Sequence, residues 1–297
     1  MIYSFIIPHK NVPTLLERCL TSIPERDDTE IIIVDDSSDP NVVDFEHFPG
    51  LKRKNTQCIF LKESRGAGHA RNVGIDKASG RWLLFADADD FYTENISLLL
   101  DLYKEDTSTN IVYLNAQSYF EKDGSTIPQS FSKYFERFAN HKFYSEKVLR
   151  YNIWTPWSRM VQRELVEINN IRYEEIPVGN DKMFCLKCSK YANSISIESR
   201  VIYNYFIPEK GSVTHAFSTS VDTIKQRLEL QYRVNQLYSE VGFIFKQSYI
   251  YGYLRGNVKD NRLKLIYKDF MSRHSISYIN DLYHMLLSVG GKLFNII

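Results

Sequence analysis

The sequence has little cysteine, no excess of charge and no long apolar run, and each shortage removes a class of protein. Its four cysteines, Cys19, Cys58, Cys185 and Cys188, are scattered without the spacing of a disulfide framework. Cys185 and Cys188 have the spacing of half a zinc site, but no second Cys or His pair follows them. They are expected to pack inside a helix, as reduced thiols of a cytosolic protein. Charge carries no signal either. The 37 Lys and Arg nearly cancel the 36 Asp and Glu, a formal net +1, so no global field advertises nucleic acid as a partner. No stretch approaches the roughly 20 apolar residues that span a bilayer. The opening MIYSFIIPHK lacks a basic leader, and its apolar run is too short for a signal peptide. The expected location is the cytoplasm, with attachment to the inner face of the cell membrane left open. Internal repeats, low-complexity tracts and a clear linker are also absent.

What is present is a chain of 297 residues, long enough for one large domain or for a domain with a substantial appendage. An apolar share of 43% is ample for a packed core, and 14% is aromatic. Aromatic rings suit sugar faces, stacking on C–H groups while Tyr and Trp tips bond hydroxyls. Ordinary core packing accounts for the same composition.

The first third alternates strand and helix signals. Residues 2–7 form a short apolar run ended by Pro8, and residues 12–23 follow with helical spacing. A second strand over 30–34 runs into Asp35, Asp36, Ser37 and Ser38. A third, 57–61, leads through a loop at 64–68 into a helix ending near Gly80, and a fourth, 81–86, stops at Asp87. This rhythm predicts an α/β fold with a mainly parallel sheet flanked by helices, Rossmann-like in arrangement. In such sheets ligands sit beyond the carboxyl ends of the strands, where Asp35–Asp36 and Asp87–Asp90 fall. Beyond residue 111 the pattern turns mixed, with strands expected at 111–120 and 194–206 and a helix at 181–190. Helices are expected at 219–238 and 246–267, and an apolar-rich tail at 275–297 is interrupted by Gly290 and Gly291.

The strongest chemical signal is LLFADADD at 83–90. Three carboxylates, Asp87, Asp89 and Asp90, leave a buried strand together and repel one another, which favours a neutralising cation. Hard oxygen ligands suit Mg2+ or Mn2+, which keep positions open for substrate phosphates. An acidic first turn of a helix gives the same pattern, with Asp90 as its cap.

The stretches SFIIPHKN, IIIVDDSSD, RGAGHARNVGI and LLFADADD, in that order and spacing, resemble the family 2 inverting glycosyltransferases with a GT-A fold, of the bacterial polysaccharide type. The resemblance is close over about the first 100 residues and looser to about 215. It implies a nucleotide-sugar-binding catalytic domain at 1–215 and a helical C-terminal extension at 216–297. Donor contacts are then expected from Pro8, from Asp35 and Asp36 at base and ribose, and from Gly66 and Arg71. The acid-x-acid element is Asp87-Ala88-Asp89, with Asp87 at the ribose or in a supporting contact and Asp89 as the ligand of Mn2+ or Mg2+. Asn72 is expected to hold the Gly-rich loop.

Later in the chain, TPWSRMVQRELVE resembles the family's Pro-Trp segment, so Trp157 is expected to bind an acceptor or donor sugar. VGNDKMF aligns with an element whose aspartate is the general base, here Asp181, with Asn180 in place of the usual glutamate. YNYFIPEKGSVTHA resembles a strand and loop in which Lys210, Ser212 and His215 close over the diphosphate. Together these imply a metal-dependent hexosyltransferase that moves a sugar, from UDP by default, to a saccharide or lipid-linked acceptor. The C-terminal helices are expected to dock on the catalytic domain or on a second subunit, with an anionic membrane surface as the alternative. Two rivals remain open. One is a catalytically silent nucleotide-sugar-binding scaffold; the other is a metal-dependent nucleotidyltransferase, whose basic Gly-rich signature SFIIPHKN lacks.

Overall fold

The computed structural model describes residues 1–140, 142–209, 221–244, 246–249 and 261–293. They fall into two compact units, Met1–Glu175 with Asn180–Lys210, and Ile176–Gly179 with Gly211–Ile297.

The first unit opens with β1 (Tyr3–His9), buried at every residue but Pro8. Helix α1 (Pro13–Ser22) starts on a proline, whose missing N–H costs nothing in a first turn, and buries Leu16, Cys19 and Leu20. Then come β2 (Thr29–Asp35), β3 (Thr56–Phe60), α2 (Ala67–Lys77) and β4 (Trp82–Phe85). These four strands run parallel in the order β3-β2-β1-β4. Their unbroken apolar runs, such as Ile31 to Val34, are what a strand covered on both faces requires.

The second half is mixed. It adds β5 (Phe91–Tyr92), α3 (Asn95–Leu102), β6 (Ile111–Phe120) and β7 (Thr126–Pro128), then α4 (Ser132–Asn140) and α5 (Lys142–Asn152). After these come β8 (Arg159–Gln162), α6 (Arg163–Ile168), α7 (Lys182–Tyr191) and β9 (Ile195–Ile207). The sheet continues β4-β8-β6-β9-β5, with β7 paired to Gln117–Tyr119 of β6, beyond the stretch that β8 covers. β8 runs antiparallel to both neighbours, while β9 is parallel to β6. The expected strands and helices of this unit appear within about three residues of their predicted ends. Short β5, β7 and β8 were not anticipated. Cys19, Cys185 and Cys188 are buried thiols in the core.

Pro8 does not end β1, as expected, but lies inside it opposite Val34. The reason is the direction of its nitrogen. His9 C=O accepts from Asp36 N–H on the β2 side, and Ile6 C=O accepts from Ala86 N–H on the β4 side. Alternate residues therefore face alternate neighbours, and Pro8 faces β4, whose ladder has already stopped at Ile6 and Phe85. No ladder bond is lost.

Helix α2 approaches β1 closely because Gly74 has no side chain: a Cβ there would lie 2.4 Å from Ile6 Cγ2. Gly74→Ala is expected to lower stability by about 1–3 kcal/mol through overpacking, read as a lower denaturant midpoint with an unchanged slope.

The second unit contains α8 (Val221–Glu240), α9 (Asn261–Arg273) and α10 (Tyr278–Leu293). A separate core joins Ile224, Leu228, Tyr249, Tyr267, Phe270 and Met271. Asp281, buried, accepts from Tyr249 N–H at 2.8 Å and so fixes the start of α10. Gly290 and Gly291 do not interrupt the tail; α10 runs through both. Ile279, Leu282, Tyr283 and Leu286 form an exposed apolar stripe along it. Much of the helix expected over 246–267 lies outside the described residues, as do Lys210, Ser212 and His215. Among the described residues no helix is long and apolar enough to cross a membrane.

Candidate active site

The parallel register brings β1 and β2 to their carboxyl ends together, with His9 opposite Asp35. His9 Nδ1 lies 2.7 Å from Asp35 Oδ1, and His9 Nε2 accepts from Val12 N–H at 3.2 Å. The second contact requires a bare Nε2, so the ring proton sits on Nδ1 and is donated to Asp35. Ser38 donates its hydroxyl to Asp35 Oδ1 at 2.5 Å and its N–H to Oδ2 at 2.9 Å. Burial alone would raise the Asp35 pKa, but the bonds from His9 and Ser38 outweigh it and hold the carboxyl low.

Asp36 is occupied by a loop. Its Oδ1 accepts Arg65 N–H at 2.8 Å and Gly66 N–H at 3.1 Å, and its Oδ2 accepts the Ser64 hydroxyl at 2.7 Å. Lys10 Nζ stands 3.8 Å away. Gly66, at φ 88, is in a conformation that favours glycine and leads directly into α2. Both acids thus have internal partners. A nucleoside could reach Asp36 only by exchanging with this loop, and Asp35, 1% exposed, braces the turn from beneath.

The acids after β4 divide three ways. Asp87, partly exposed, accepts from Arg71 Nη2 at 2.5 Å. Asp90 is buried; burial, followed by the charges of Asp87 and Asp89, pushes its pKa well up. Its Oδ1 accepts Phe206 N–H at 2.7 Å, and its Oδ2 accepts the Tyr203 hydroxyl at 2.8 Å. The same hydroxyl accepts Asp87 N–H at 3.0 Å, so one oxygen pins the acid-x-acid turn to β9. Tyr203→Phe leaves a buried donor and acceptor unpaired and is expected to cost about 1–3 kcal/mol, seen as a lower thermal midpoint.

Asp89 alone of the three lies exposed. No side chain among the described residues hydrogen-bonds its carboxylate, yet surrounding protein and the charge of Asp87 raise its pKa to about 6. Its backbone is held: Arg18 Nη2 donates to Asp89 C=O at 2.5 Å, while the guanidinium lies 3.9 Å from the Phe206 ring centre and 4.8 Å from that of Phe91. A divalent cation fits here. Mg2+ and Mn2+ are commonly held by one or two carboxylates plus substrate phosphates, and Asp89 offers a hard oxygen beside a second acid. Among the described residues no three His, Cys, Asp or Glu converge into a ready cage, so phosphate oxygens would have to complete the shell.

Arg71 joins this cluster to the start of α7. It is 6% exposed and donates to Asp87 and, from Nη1, to Asn180 Oδ1 at 3.1 Å, and it packs 5.3 Å from the Tyr173 ring centre. Burial would lower its pKa, but Asp87, Tyr173 and Asp181 more than offset that and keep it charged. Asp181 stands where an N-cap would, yet its side chain makes no capping hydrogen bond. Burial raises its pKa against the opposing pull of Arg71. Next to it, burial brings Lys182 down to about 8, with Nζ 3.9 Å from the Trp154 ring centre.

Trp157 does not present a free face. It is 5% exposed and stacks on Tyr203 at 4.9 Å with an 8° angle, so a sugar could lie on it only if that stack opened. Motif reading missed His9 as the partner of Asp35, Tyr203 as the lock on Asp90, and Arg18.

A mixed sheet whose parallel half gathers acids, a Gly-rich turn and a buried arginine at its carboxyl edge is the GT-A architecture. Solved structures agree on that fold. Staphylococcus aureus TarS 1–349 in complex with UDP-GlcNAc matches with a TM-score of 0.62 at 20% identity, over 94% of this chain and 74% of that one. The mannosyltransferase PcManGT from Pyrobaculum calidifontis, in complex with GDP-Man and Mn2+, matches with a TM-score of 0.57 at 16% identity, over 98% of this chain and 79% of that one.

The profile of glycosyl transferase family 2 covers residues 4–166, more than half of the sequence, and the chain belongs to that family. The putative glycosyltransferase EpsH of Bacillus subtilis is 25% identical over 216 residues, 69% of this chain and 60% of EpsH. The poly(ribitol-phosphate) beta-N-acetylglucosaminyltransferase TarS of S. aureus is 25% identical over 218 residues, 71% of this chain and 36% of TarS. The match thus spans less than two thirds of either relative.

Proposed function

We propose that this chain is an inverting glycosyltransferase. It moves a sugar from a nucleoside diphosphate donor, a UDP-sugar by default, to an acceptor hydroxyl in the synthesis of a surface polysaccharide. Residues 1–215 form the catalytic domain and 216–297 a helical extension. The observation that carries this reading is Asp181: a carboxylate of raised pKa at the head of α7, not used as a cap, facing the charge of Arg71, which bonds both the preceding Asn180 and Asp87 at the end of β4.

Gly66 and Arg71 are on the donor side, Asp36 joins them when the 64–66 loop exchanges for the nucleoside, Pro8 and Asp35 support the turn beneath, and Asp87 is near the ribose. The acceptor O–H gives its proton to Asp181 as its oxygen attacks the anomeric carbon. The bond from that carbon to the diphosphate breaks with its electron pair passing to the leaving phosphate oxygen. A positioned base contributes about 10²–10⁴ in rate, because a neutral hydroxyl is a poor nucleophile. Asp89 is the residue to hold Mn2+ or Mg2+, which when bound stabilises the charge developing on the diphosphate. Trp157 is assigned to the acceptor side, where a sugar meets its ring only if the stack with Tyr203 opens. The UDP-GlcNAc complex of TarS and the GDP-Man and Mn2+ complex of PcManGT support a nucleotide-sugar donor and a metal.

The acceptor is a saccharide or lipid-linked saccharide. The exposed stripe on α10 supports association with a second copy or with the cytoplasmic face of a membrane. The test is incubation with a panel of UDP-sugars and Mn2+, following release of UDP with and without saccharide acceptors. Release is expected for at least one donor. Binding of donors with no release from any of them overturns the reading in favour of a nucleotide-sugar-binding scaffold.

A further inference from the structure

Gly68, Asn72 and Asp76 are four residues apart on α2 and so share one face. Along that face the chain segment leading to Asp181 runs in the opposite direction, one residue per helical turn. Arg172 donates to Asp76 at 2.9 Å. Tyr173 is held twice by one side chain: its N–H donates to Asn72 Oδ1 at 2.8 Å, and its C=O accepts from Asn72 Nδ2 at 3.0 Å. Glu174 crosses Gly68 so closely that a Cβ there would lie 2.3 Å from its carbonyl oxygen.

The Asn72 amide presents the donor and acceptor pair that a neighbouring strand would, and it pairs with a stretch that belongs to no strand. The two bonds fix both the position and the rotation of the Tyr173 peptide groups, which a single contact or an exposed ion pair cannot do. Beyond this point Glu174 N–H donates to Asn180 C=O at 3.2 Å, so placing residue 174 also places the residue before Asp181. Arg71, one position before Asn72, bonds the Asn180 side chain.

We infer that Asn72 is a positioning residue: through its paired bonds to Tyr173 it mounts the base-bearing segment on the donor-side helix, so that Asp181 is set relative to the donor before substrate arrives. The inference rests on the functional reading above for the role of Asp181, but not for the existence of the clip. Misplacing a reacting group by about 1 Å can cost 10²-fold in rate, whereas the close approach of α2 to β1 is made at Gly74 rather than at position 72.

The test compares Asn72→Ala with Arg172→Ala, which removes the exposed ion pair to Asp76 and a bond to the adjacent Ile171 C=O but leaves the paired bonds at Tyr173, by amide hydrogen exchange and steady-state kinetics of the full chain. Asn72→Ala is expected to speed exchange across residues 172–181 and to lower kcat about 10–100-fold with donor KM changed less than about threefold. Arg172→Ala is expected to leave both near the native values. Should the alanine variant fail to fold, Asn72→Asp, which keeps the acceptor and loses the donor to Tyr173 C=O, is expected to show the same pattern. Unchanged exchange at 172–181 overturns the clip. Faster exchange with kcat unchanged, or with kcat falling only as KM rises, overturns its positioning role. A native protein that turns over no donor, yet shows faster exchange in the variant, removes the functional reading and leaves the clip standing.

Discussion

Asp181→Asn is expected to lower turnover by about 10²–10⁴-fold, the contribution of a positioned general base, with donor affinity retained. The substitution keeps shape and removes the ability to take a proton together with the negative charge that faces Arg71 and Lys182. Because the native side chain makes no capping bond, α7 does not depend on it. The folded pKa of Asp181 is raised, chiefly by burial. Its ionisation therefore detracts from stability as pH climbs from the unfolded carboxylate range through the folded value, so the asparagine variant should be no less stable at neutral pH. The same shift gives the catalytic profile its sign. A base acts only when deprotonated, so native kcat should fall as pH drops through a value above the usual carboxylate range. The residual turnover of the variant should lack that limb. Measuring kcat against pH for both proteins, with donor binding by calorimetry, checks the assignment; a variant with native turnover removes Asp181 from the mechanism.

The ends of β2 and β4 were legible because each is a short, unbroken apolar run that stops at acids, and Asp35 and Asp87 do sit at the carboxyl edge of the sheet. Strand β8 was not, since four residues beside a helix offer too little periodicity to separate the two. Nor does sequence reveal whose hydrogen bonds a carboxylate already accepts. Asp35 and Asp36 look equivalent side by side, yet one is filled by His9 and Ser38 and the other by the 64–66 loop. Trp157 carries the motif of a sugar platform, but the stacking partner that covers it, Tyr203, comes from a strand 46 residues later. Arg18 reaches Asp89 across 71 positions of chain. Such pairings are set by the order of strands in the sheet, which follows from long-range packing rather than from any local pattern.

Mn2+ together with UDP is expected to raise the thermal midpoint of the native protein, to lose that effect on addition of EDTA, and to do little for Asp89→Asn. In the free protein Asp89 ionises against crowding and the charge of Asp87, with a pKa of about 6, and Asp90 is raised as well. A raised acid pKa means that stability is complete below the unfolded value, near 4 for an aspartate, and is lost as pH rises through the folded one. A cation beside Asp89 opposes that loss. Ligand at about 100 times its dissociation constant adds about 2.7 kcal/mol, or about 5–10 °C for a chain of this size class. Because protons compete with the ion for the same oxygens, the shift should be small near pH 5 and grow toward pH 7.5. Asparagine keeps a neutral oxygen in place but gives up the charge that draws the ion, so turnover should fall with the thermal shift while the fold persists. An equal, EDTA-sensitive shift in Asp89→Asn would move the metal to other ligands and leave Asp89 as an ordinary surface acid.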